Sequence, residues 1–123
     1  MIHVLAFIEL KPGTRSQFLA EFKKIVPAVR AEDGCIAYGA TQDLATGLPV
    51  QQLAPDGVVI VEQWQSVAHL KAHLAQPHMA ACFASTAGIR TGTSVRVVVP
   101  IAWRCSGLIC LVRLSLPYPA RSG

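Results

Sequence analysis

The chain has 123 residues, which corresponds to one domain, and its 52% hydrophobic content excludes an intrinsically disordered protein. Only 15% of the residues are charged, so the chain has more apolar side chains than the core of one small domain can hide. The net charge of +4 does not indicate a nucleic-acid-binding protein, because residues 1–97 carry a net charge of only +1 and the basic residues do not cluster with aromatic ones.

The excess of apolar residues predicts a contact surface for a partner subunit, a ligand pocket or a membrane. The membrane is the least favoured, because a spanning helix needs about 20 apolar residues and the apolar stretch at 106–112 is ended by Arg113. The N-terminus lacks the basic start and the small-residue cleavage site of a signal peptide. We therefore expect a cytoplasmic protein that binds neither a membrane nor nucleic acid.

The four cysteines indicate neither a metal site nor a disulfide framework. Cys35, Cys82, Cys105 and Cys110 do not have the spacing of zinc ligands. Disulfides are also rare in the cytoplasm, so we expect free, buried thiols.

Residues 2–10 form the first predicted strand, since they are rich in β-branched and large apolar side chains. Residues 11–13 (KPG) end the strand. Both faces of the strand are apolar, which predicts a strand that is buried on both sides.

The next segment has apolar residues at the spacing of an amphipathic helix, and Thr14 or Ser16 can cap its start. Pro27 removes a backbone donor, so we expect it to kink the helix or end a turn. Gly34 is the predicted residue just beyond the C-terminus of the helix.

Three further strands and a second helix complete the predicted order. The strands are residues 35–43, 58–65 and 93–99, and turn residues separate the first two. Ser66 is the predicted N-cap of the second helix. Pro77 breaks this helix, and we expect a further short turn of helix after it.

The order β-α-β-β-α-β predicts an α+β protein with the ferredoxin-like fold, in which two helices cover one face of a four-stranded antiparallel sheet. The other face of the sheet is left uncovered, which fits the two apolar faces of the first strand. Two such sheets packed face to face would form a dimeric α+β barrel, so we expect a homodimer.

The chain divides into a domain at residues 1–99 and an atypical tail at residues 100–123. The tail contains three arginines but no lysine and no acidic residue. Two hypotheses fit it: an arm that is swapped onto the partner subunit, or an appended C-terminus with no functional weight.

Four segments, taken together, resemble the antibiotic biosynthesis monooxygenase family. They are residues 34–38 (GCIAY), 62–64 (EQW), 69–74 (HLKAHL) and 77–78 (PH). The resemblance covers about residues 1–99, and it extends to the small quinol monooxygenases.

This resemblance implies a ferredoxin-like fold that dimerises through its sheets into an α+β barrel. It also implies a cofactor-free monooxygenase of phenols or quinols. The family includes an isomerase of a phosphorylated signalling sugar and proteins without assigned activity, so the fold transfers better than the chemistry. Some of these monooxygenases use an Asn–Trp–Arg set, whereas this chain has Trp64 and Arg90 but no asparagine.

His73 and His78 are the predicted catalytic residues. His73 lies beside the apolar stripe of the second helix, and the break at Pro77 aims His78 away from the helix axis. A neutral imidazole can deprotonate a phenol, whose anion then reduces oxygen. Each histidine could instead satisfy backbone groups. His69 and His73 have the spacing of two metal ligands, but no third ligand lies on that helix, so we expect no metal.

Five further residues are predicted substrate contacts. Trp64 and Phe83 would form the walls of a flat pocket, and Tyr38 would donate a hydrogen bond to a substrate oxygen. Glu62 shares a strand face with Trp64 and needs a partner when buried, either an arginine such as Arg90 or a histidine. The aromatic residues could equally be part of the core. Glu62 could equally form a structural salt bridge or a contact between the two subunits of a dimer.

The sequence contains no phosphate-binding loop, dinucleotide fingerprint or serine nucleophile motif, so we expect no cofactor. The predicted function is that of a cofactor-independent monooxygenase, which oxidises a small aromatic phenol or quinol with molecular oxygen. Two alternatives stay open. One is a non-catalytic dimeric protein that binds a small ligand, and the other is an isomerase or decomposition enzyme that uses the same histidines.

Overall fold

The structure of the protein is a computed structural model that describes residues 1–104. Seven elements follow in chain order: β1 (Ile2–Leu10), α1 (Arg15–Arg30), β2 (Cys35–Thr41), β3 (Val58–Trp64), α2 (Val67–Leu74), α3 (Pro77–Thr86) and β4 (Arg90–Val98). Residues 105–123, which make up most of the predicted tail and include Cys105 and Cys110, lie outside the described residues. Cys35 and Cys82 are free thiols, as predicted.

The four strands form one antiparallel sheet in the order β2-β3-β1-β4. β1 is central, and its Val4 pairs with Glu62 of β3 on one side and with Val97 of β4 on the other. The predicted α+β ferredoxin-like fold is therefore confirmed. It has three helices instead of two, because the segment that begins at Pro77 is a ten-residue helix and not a single turn.

α1 departs from its prediction at its start and at its end. Thr14 occupies the N-cap position, but its hydroxyl donates to the Lys11 carbonyl oxygen at 2.7 Å and does not cap the helix. The helix continues through Pro27 and ends at Arg30, three residues before its predicted end. It continues through Pro27 because its buried stripe extends to Val29, which is 0% exposed, so packing of the last turn outweighs the lost backbone hydrogen bond.

The turn from α1 to β2 brings α2 close to the end of α1. The cap of α1 is Ala31, so the predicted position of Gly34 directly after the helix is wrong. Gly34 instead has a φ of 78° inside the turn, a conformation that favours glycine. A Cβ atom at this position would lie 2.3 Å from the His69 ring, so the glycine also makes room for α2.

The central strands β1 and β3 present one face to the helices and the other away from them. On the first face, which we call the helix-side face, Val4 and Ile60 are buried under the helices. On the second, which we call the open face, Leu5 and Val61 are only half-buried and Phe7 is 39% exposed. Apolar residues thus line both faces, but the helices cover only one.

The edge strand β4 is less covered than the rest of the sheet. It begins at Arg90, three residues before the predicted start, and its pairing with β1 shifts register between Glu9 and Leu10. Val95 and Val97 pair with β1 residues of the helix-side face but are about half exposed. The helix layer therefore leaves this edge of the sheet uncovered.

None of the helices within residues 1–104 is long and apolar enough to cross a membrane. The cytoplasmic location stays a prediction.

Candidate active site

Six polar and aromatic side chains meet between the helices and strands β2 and β3, and we call them the histidine cluster. They are Glu32, Tyr38, Glu62, Trp64, His73 and His78. Five of them are predicted site residues, and Glu32 is an addition from the structure. Hydrogen bonds and ring contacts join all six into one connected group.

Strands β2 and β3 supply the floor of the cluster. Glu62 and Trp64 lie two residues apart on β3, so their side chains share one face of the strand, as predicted, and this is the buried helix-side face. Tyr38 of β2 pairs with Glu62 across the two strands. The Trp64 indole Nε1 donates to the Glu62 carboxylate at 2.7 Å, and both side chains are buried.

Burial is the main cause of the shifted pKa values of Glu62 and Tyr38 in the floor of the cluster. Burial raises the pKa of the Glu62 carboxyl, and the hydrogen bond from Trp64 offsets part of this effect. The Trp64 indole is thus the hydrogen-bond partner of Glu62, where an arginine or a histidine was predicted. Burial, and then the Glu62 charge, also raise the pKa of the Tyr38 phenol, which therefore stays a neutral O–H donor.

α2 places His73 over this floor. Ser66 caps the start of α2, as predicted, by accepting a backbone N–H with its side chain. Leu70 and His73 are the buried residues of this helix, and they lie one turn apart on the same side. The His73 side chain is 0% exposed, and its ring centroid lies 4.6 Å from that of Trp64 and 5.4 Å from that of Tyr38.

Glu32 connects the two predicted catalytic histidines. It lies in the turn between α1 and β2, and its side chain is 10% exposed. Its Oε2 atom lies 2.8 Å from His73 Nδ1 and 3.2 Å from His78 Nε2. One signal could have found it: a buried histidine needs a partner for its second nitrogen, and the chain has only seven carboxylates.

The contact with Glu32 determines which nitrogen of His73 carries the proton. A carboxylate only accepts hydrogen bonds, so Nδ1 must donate, and the neutral ring then has its lone pair on Nε2. Nε2 is buried and has no hydrogen-bond partner among residues 1–104. A buried nitrogen in this state can accept a proton from a bound substrate.

His78 contacts the same carboxylate from the solvent side. It is the second residue of α3, directly after Pro77, and its side chain is 25% exposed. The helix break therefore brings His78 to His73 through their shared partner Glu32, although the two histidines lie on different helices.

Phe83 and Arg90 lie together near the other end of α3. The Arg90 guanidinium sits 5.4 Å from the centre of the Phe83 ring and donates to the Phe83 carbonyl oxygen at 2.9 Å. Phe83 is five residues beyond His78, about 7.5 Å along the helix axis, and 42% exposed. The structure places this pair apart from the contacts of the cluster, and its predicted role in substrate binding stays a prediction.

His69 belongs to the start of α2 and not to a metal pair with His73. Its Nδ1 lies 2.7 Å from the Ser66 hydroxyl, and its Nε2 lies 3.4 Å from the exposed carboxylate of Asp33. The two histidines of α2 thus contact different carboxylates.

A recess of about 250 Å³ lies on the open face of the sheet. Its lining residues are His3, Leu5, Val61, Val98, Val99, Pro100 and Trp103. The Trp103 ring lies 5.0 Å from the His3 ring, whose Nδ1 is 3.2 Å from Gln63 Nε2. The recess is apolar apart from these few atoms, and it is separated from the histidine cluster by the sheet.

Comparisons with known proteins agree with this fold. The family described as "Antibiotic biosynthesis monooxygenase" matches residues 1–85. The chain is 42% identical over 102 residues to the "Probable quinol monooxygenase YgiN" of Escherichia coli strain K12, covering 81% of this chain and 98% of that relative. Two solved structures share the fold. Rv0793 from Mycobacterium tuberculosis is 24% identical, with a TM-score of 0.70 over 85% of this chain and 98% of that chain. PA3566 from Pseudomonas aeruginosa is 22% identical, with a TM-score of 0.68 over 82% of this chain and 94% of that chain. The chain therefore belongs to the antibiotic biosynthesis monooxygenase family.

Proposed function

We propose that the protein is a cofactor-independent monooxygenase that oxidises a small aromatic quinol or phenol with molecular oxygen. The family and the quinol monooxygenase relative support the reaction class. The main structural support from this chain is the buried Nε2 atom of His73, which has a lone pair and no hydrogen-bond partner within residues 1–104.

The reaction needs only proton transfer and oxygen as oxidant. A quinol and one O₂ molecule give a hydroxyquinone and one water molecule. One oxygen atom forms a new bond to a ring carbon, and the other leaves as water. The substrate loses four electrons, which reduce the two oxygen atoms.

His73 starts this sequence as the general base. Its Nε2 accepts the phenolic proton, and Glu32 stabilises the resulting imidazolium through Nδ1. The quinolate then transfers an electron to oxygen, and the two radicals combine at a ring carbon to give a peroxide. As the C–H bond at that carbon breaks, its electron pair forms the new C=O bond and the O–O bond breaks. The departing oxygen takes up this proton and the proton of the imidazolium, which gives water, and the ring product tautomerises to the hydroxyquinone.

The other cluster residues have supporting roles in the proposal. The Trp64 ring forms a wall for a flat substrate, and the neutral Tyr38 hydroxyl donates a hydrogen bond to a substrate oxygen. His78 shares Glu32 with His73 and is partly exposed, so it can exchange protons with solvent. Burial of the base excludes water from the reacting atoms.

The test is oxygen uptake and product formation with a panel of quinols. His73→Asn retains an amide N–H at the position of Nδ1 for Glu32 but removes Nε2. We expect its kcat to fall by about 10²- to 10⁴-fold, the usual contribution of a general base. The control His69→Gln, which changes a histidine of the same helix outside the cluster, should retain turnover.

Three outcomes would contradict the oxygenase. Equal turnover by His73→Asn and the unmodified protein would exclude His73 as the base. Saturable quinol binding without oxygen uptake would favour a binding protein. Conversion of a substrate at the same rate without oxygen would favour an isomerase.

We also propose that two copies associate through the open face into a homodimer. Leu5, Phe7 and Val61 are apolar and half-buried or exposed on this face, and burying them against the same face of a second copy would remove them from water. The substrate and oxygen would then be the small-molecule partners on the helix side of each sheet.

A further inference from the structure

We propose that Glu32, His73 and His78 form a binding site for a divalent transition-metal ion, with zinc as the ion that fits best. Their donor atoms are a carboxylate oxygen and two imidazole nitrogens, and all lie within 4.8 Å of one another. Two imidazoles and one carboxylate are a recurring ligand set for zinc, and the same set leaves the fourth position open.

The distances require only a small adjustment. Ligands that are 2.0–2.1 Å from a tetrahedral zinc ion lie about 3.3 Å from one another. The Glu32 oxygen is now 2.8 Å from His73 Nδ1 and 3.2 Å from His78 Nε2. To surround the ion, these two contacts open by a few tenths of an ångström, and the two imidazole nitrogens, which lie within 4.8 Å of each other, take up the same spacing.

The placement of the three ligands favours a site that surrounds the ion. They come from three different parts of the fold: the turn after α1, the helix α2 and the start of α3. His73 is packed against the Trp64 and Tyr38 rings, which hold its orientation. His78 is 25% exposed and provides the route by which an ion enters.

Charge and hydrogen bonding also favour a cation here. One Glu32 oxygen accepts hydrogen bonds from both histidines, and the Glu32 side chain is only 10% exposed. A metal ion would replace these two shared protons and neutralise the buried carboxylate directly. Mixed nitrogen and oxygen ligands favour zinc over magnesium and calcium, which prefer oxygen ligands alone.

Metal binding would exclude the base role of His73. A metal ion on Nδ1 leaves the ring proton on Nε2, which then has no lone pair for a substrate proton. This consequence rests on the proposed function, whereas binding of the ion does not. The two ideas are therefore tested separately, one by turnover and the other by binding.

The experiment is calorimetric titration of the full chain with zinc chloride after removal of metals with EDTA. We expect one site per chain with a dissociation constant of about 10 µM or tighter at neutral pH. His78→Gln removes a partly exposed ligand with little risk to folding and should weaken binding at least about 10-fold. Glu32→Gln should weaken it as well, while the control His69→Gln should bind as tightly as the unmodified chain.

Two further measurements test which ion and which ligands are involved. Magnesium should give no saturable heat, and cobalt bound in place of zinc should show a spectrum without a sulfur charge-transfer band, which excludes the cysteines as ligands. Zinc binding that His78→Gln and Glu32→Gln leave unchanged would overturn the proposal. So would the absence of saturable zinc binding in the unmodified chain.

Discussion

The two faces of the same sheet differ in what they bury and in how they bury it. On the helix-side face, strand β3 contributes Glu62 and Trp64, which are fully enclosed by this chain's own helices. On the open face, the neighbouring residues Val61 and Gln63 of the same strand are only half-buried. The covered face of β3 thus buries a carboxyl group among apolar side chains, whereas the open face leaves valine side chains and Gln63 partly exposed.

The two faces therefore have different requirements. Buried polar groups need partners at fixed positions, and the histidine cluster supplies them within one chain, from Trp64 to Glu62 and from His73 to Glu32. Apolar groups need only to leave water, and a second copy of the chain can achieve this for Leu5 and Val61. The proposed chemistry therefore depends on the fold of one chain, and the proposed association depends on the open face.

The largest effect is expected from a charge on the open face. Val61→Asp would place a carboxylate from each copy in one apolar interface, where desolvation costs several kcal/mol per charge. We expect dimerisation to weaken by roughly 10³-fold or more, so that light scattering gives the 13.2 kDa chain in place of a dimer of about 26 kDa.

The matched control is Val50→Asp, because Val50 is 90% exposed in the loop before β3 and the substitution has the same chemistry. It should remain a dimer. If Val61→Asp also remains dimeric with an unchanged far-UV spectrum, the open face is not the interface.

The second effect contrasts the two tryptophans. Trp64 is 0% exposed and holds the Glu62 carboxylate, whereas Trp103 is 61% exposed beside the open face. We expect Trp64→Ala to lower the free energy of unfolding by about 3–5 kcal/mol, through a cavity and an unpaired buried carboxylate. Trp103→Ala should cost less than about 1 kcal/mol. Urea unfolding at a fixed protein concentration measures both, and equal losses would contradict the contrast.

The fold could be predicted from the sequence because its signals are local. The apolar and β-branched run of β1, with the turn residues after it, gave the bounds Ile2–Leu10 directly, and the pattern of β3 placed Glu62 and Trp64 on one face. The end of α1 shows the limit of local signals, because the helix was predicted to continue up to Gly34 but ends at Arg30, just after the buried Val29.

The site could be predicted only in part, since it depends on contacts between distant segments. Glu32 and His73 are 41 residues apart, and they meet only because the turn at Gly34 lets α2 approach. The sequence pattern also did not separate Phe83 and Arg90 from the histidine cluster. Residues on one side of a helix can be far apart along its axis, and Phe83 and Arg90 meet towards the end of α3 that is opposite to His78.

The third effect concerns that turn and is tested with two glycines. Gly34 and Gly13 have nearly the same φ, 78° and 77°, so alanine at either position costs about 1–2 kcal/mol for the left-handed backbone. Only at Gly34 would the new Cβ meet another side chain, the His69 ring at 2.3 Å. We expect Gly34→Ala to be more destabilising than Gly13→Ala by about 1 kcal/mol or more.

The same pair of variants tests whether the turn positions the cluster. Displacement of α2 by the Gly34→Ala side chain would move His73 relative to Glu32, so quinol turnover should fall as well, while Gly13→Ala should retain it. Equal stability of the two variants would show that α2 does not need this close approach.

The smallest effect distinguishes the charge of Glu62 from its hydrogen bond. Glu62→Gln retains an acceptor for the Trp64 indole but removes the ionisable group. Because the pKa of Glu62 is raised by burial in the folded chain, ionisation is easier in the unfolded chain, and the unmodified protein loses stability as pH rises through that interval. The glutamine variant lacks this loss. Its free energy of unfolding relative to the unmodified chain should therefore increase as pH rises above 4.5, the ordinary pKa of a glutamate, with EDTA present to keep the chain free of metal. A difference that is independent of pH would mean that the helix-side face tolerates a buried charge as easily as a buried amide, and the contrast between the two faces would then rest on shape alone.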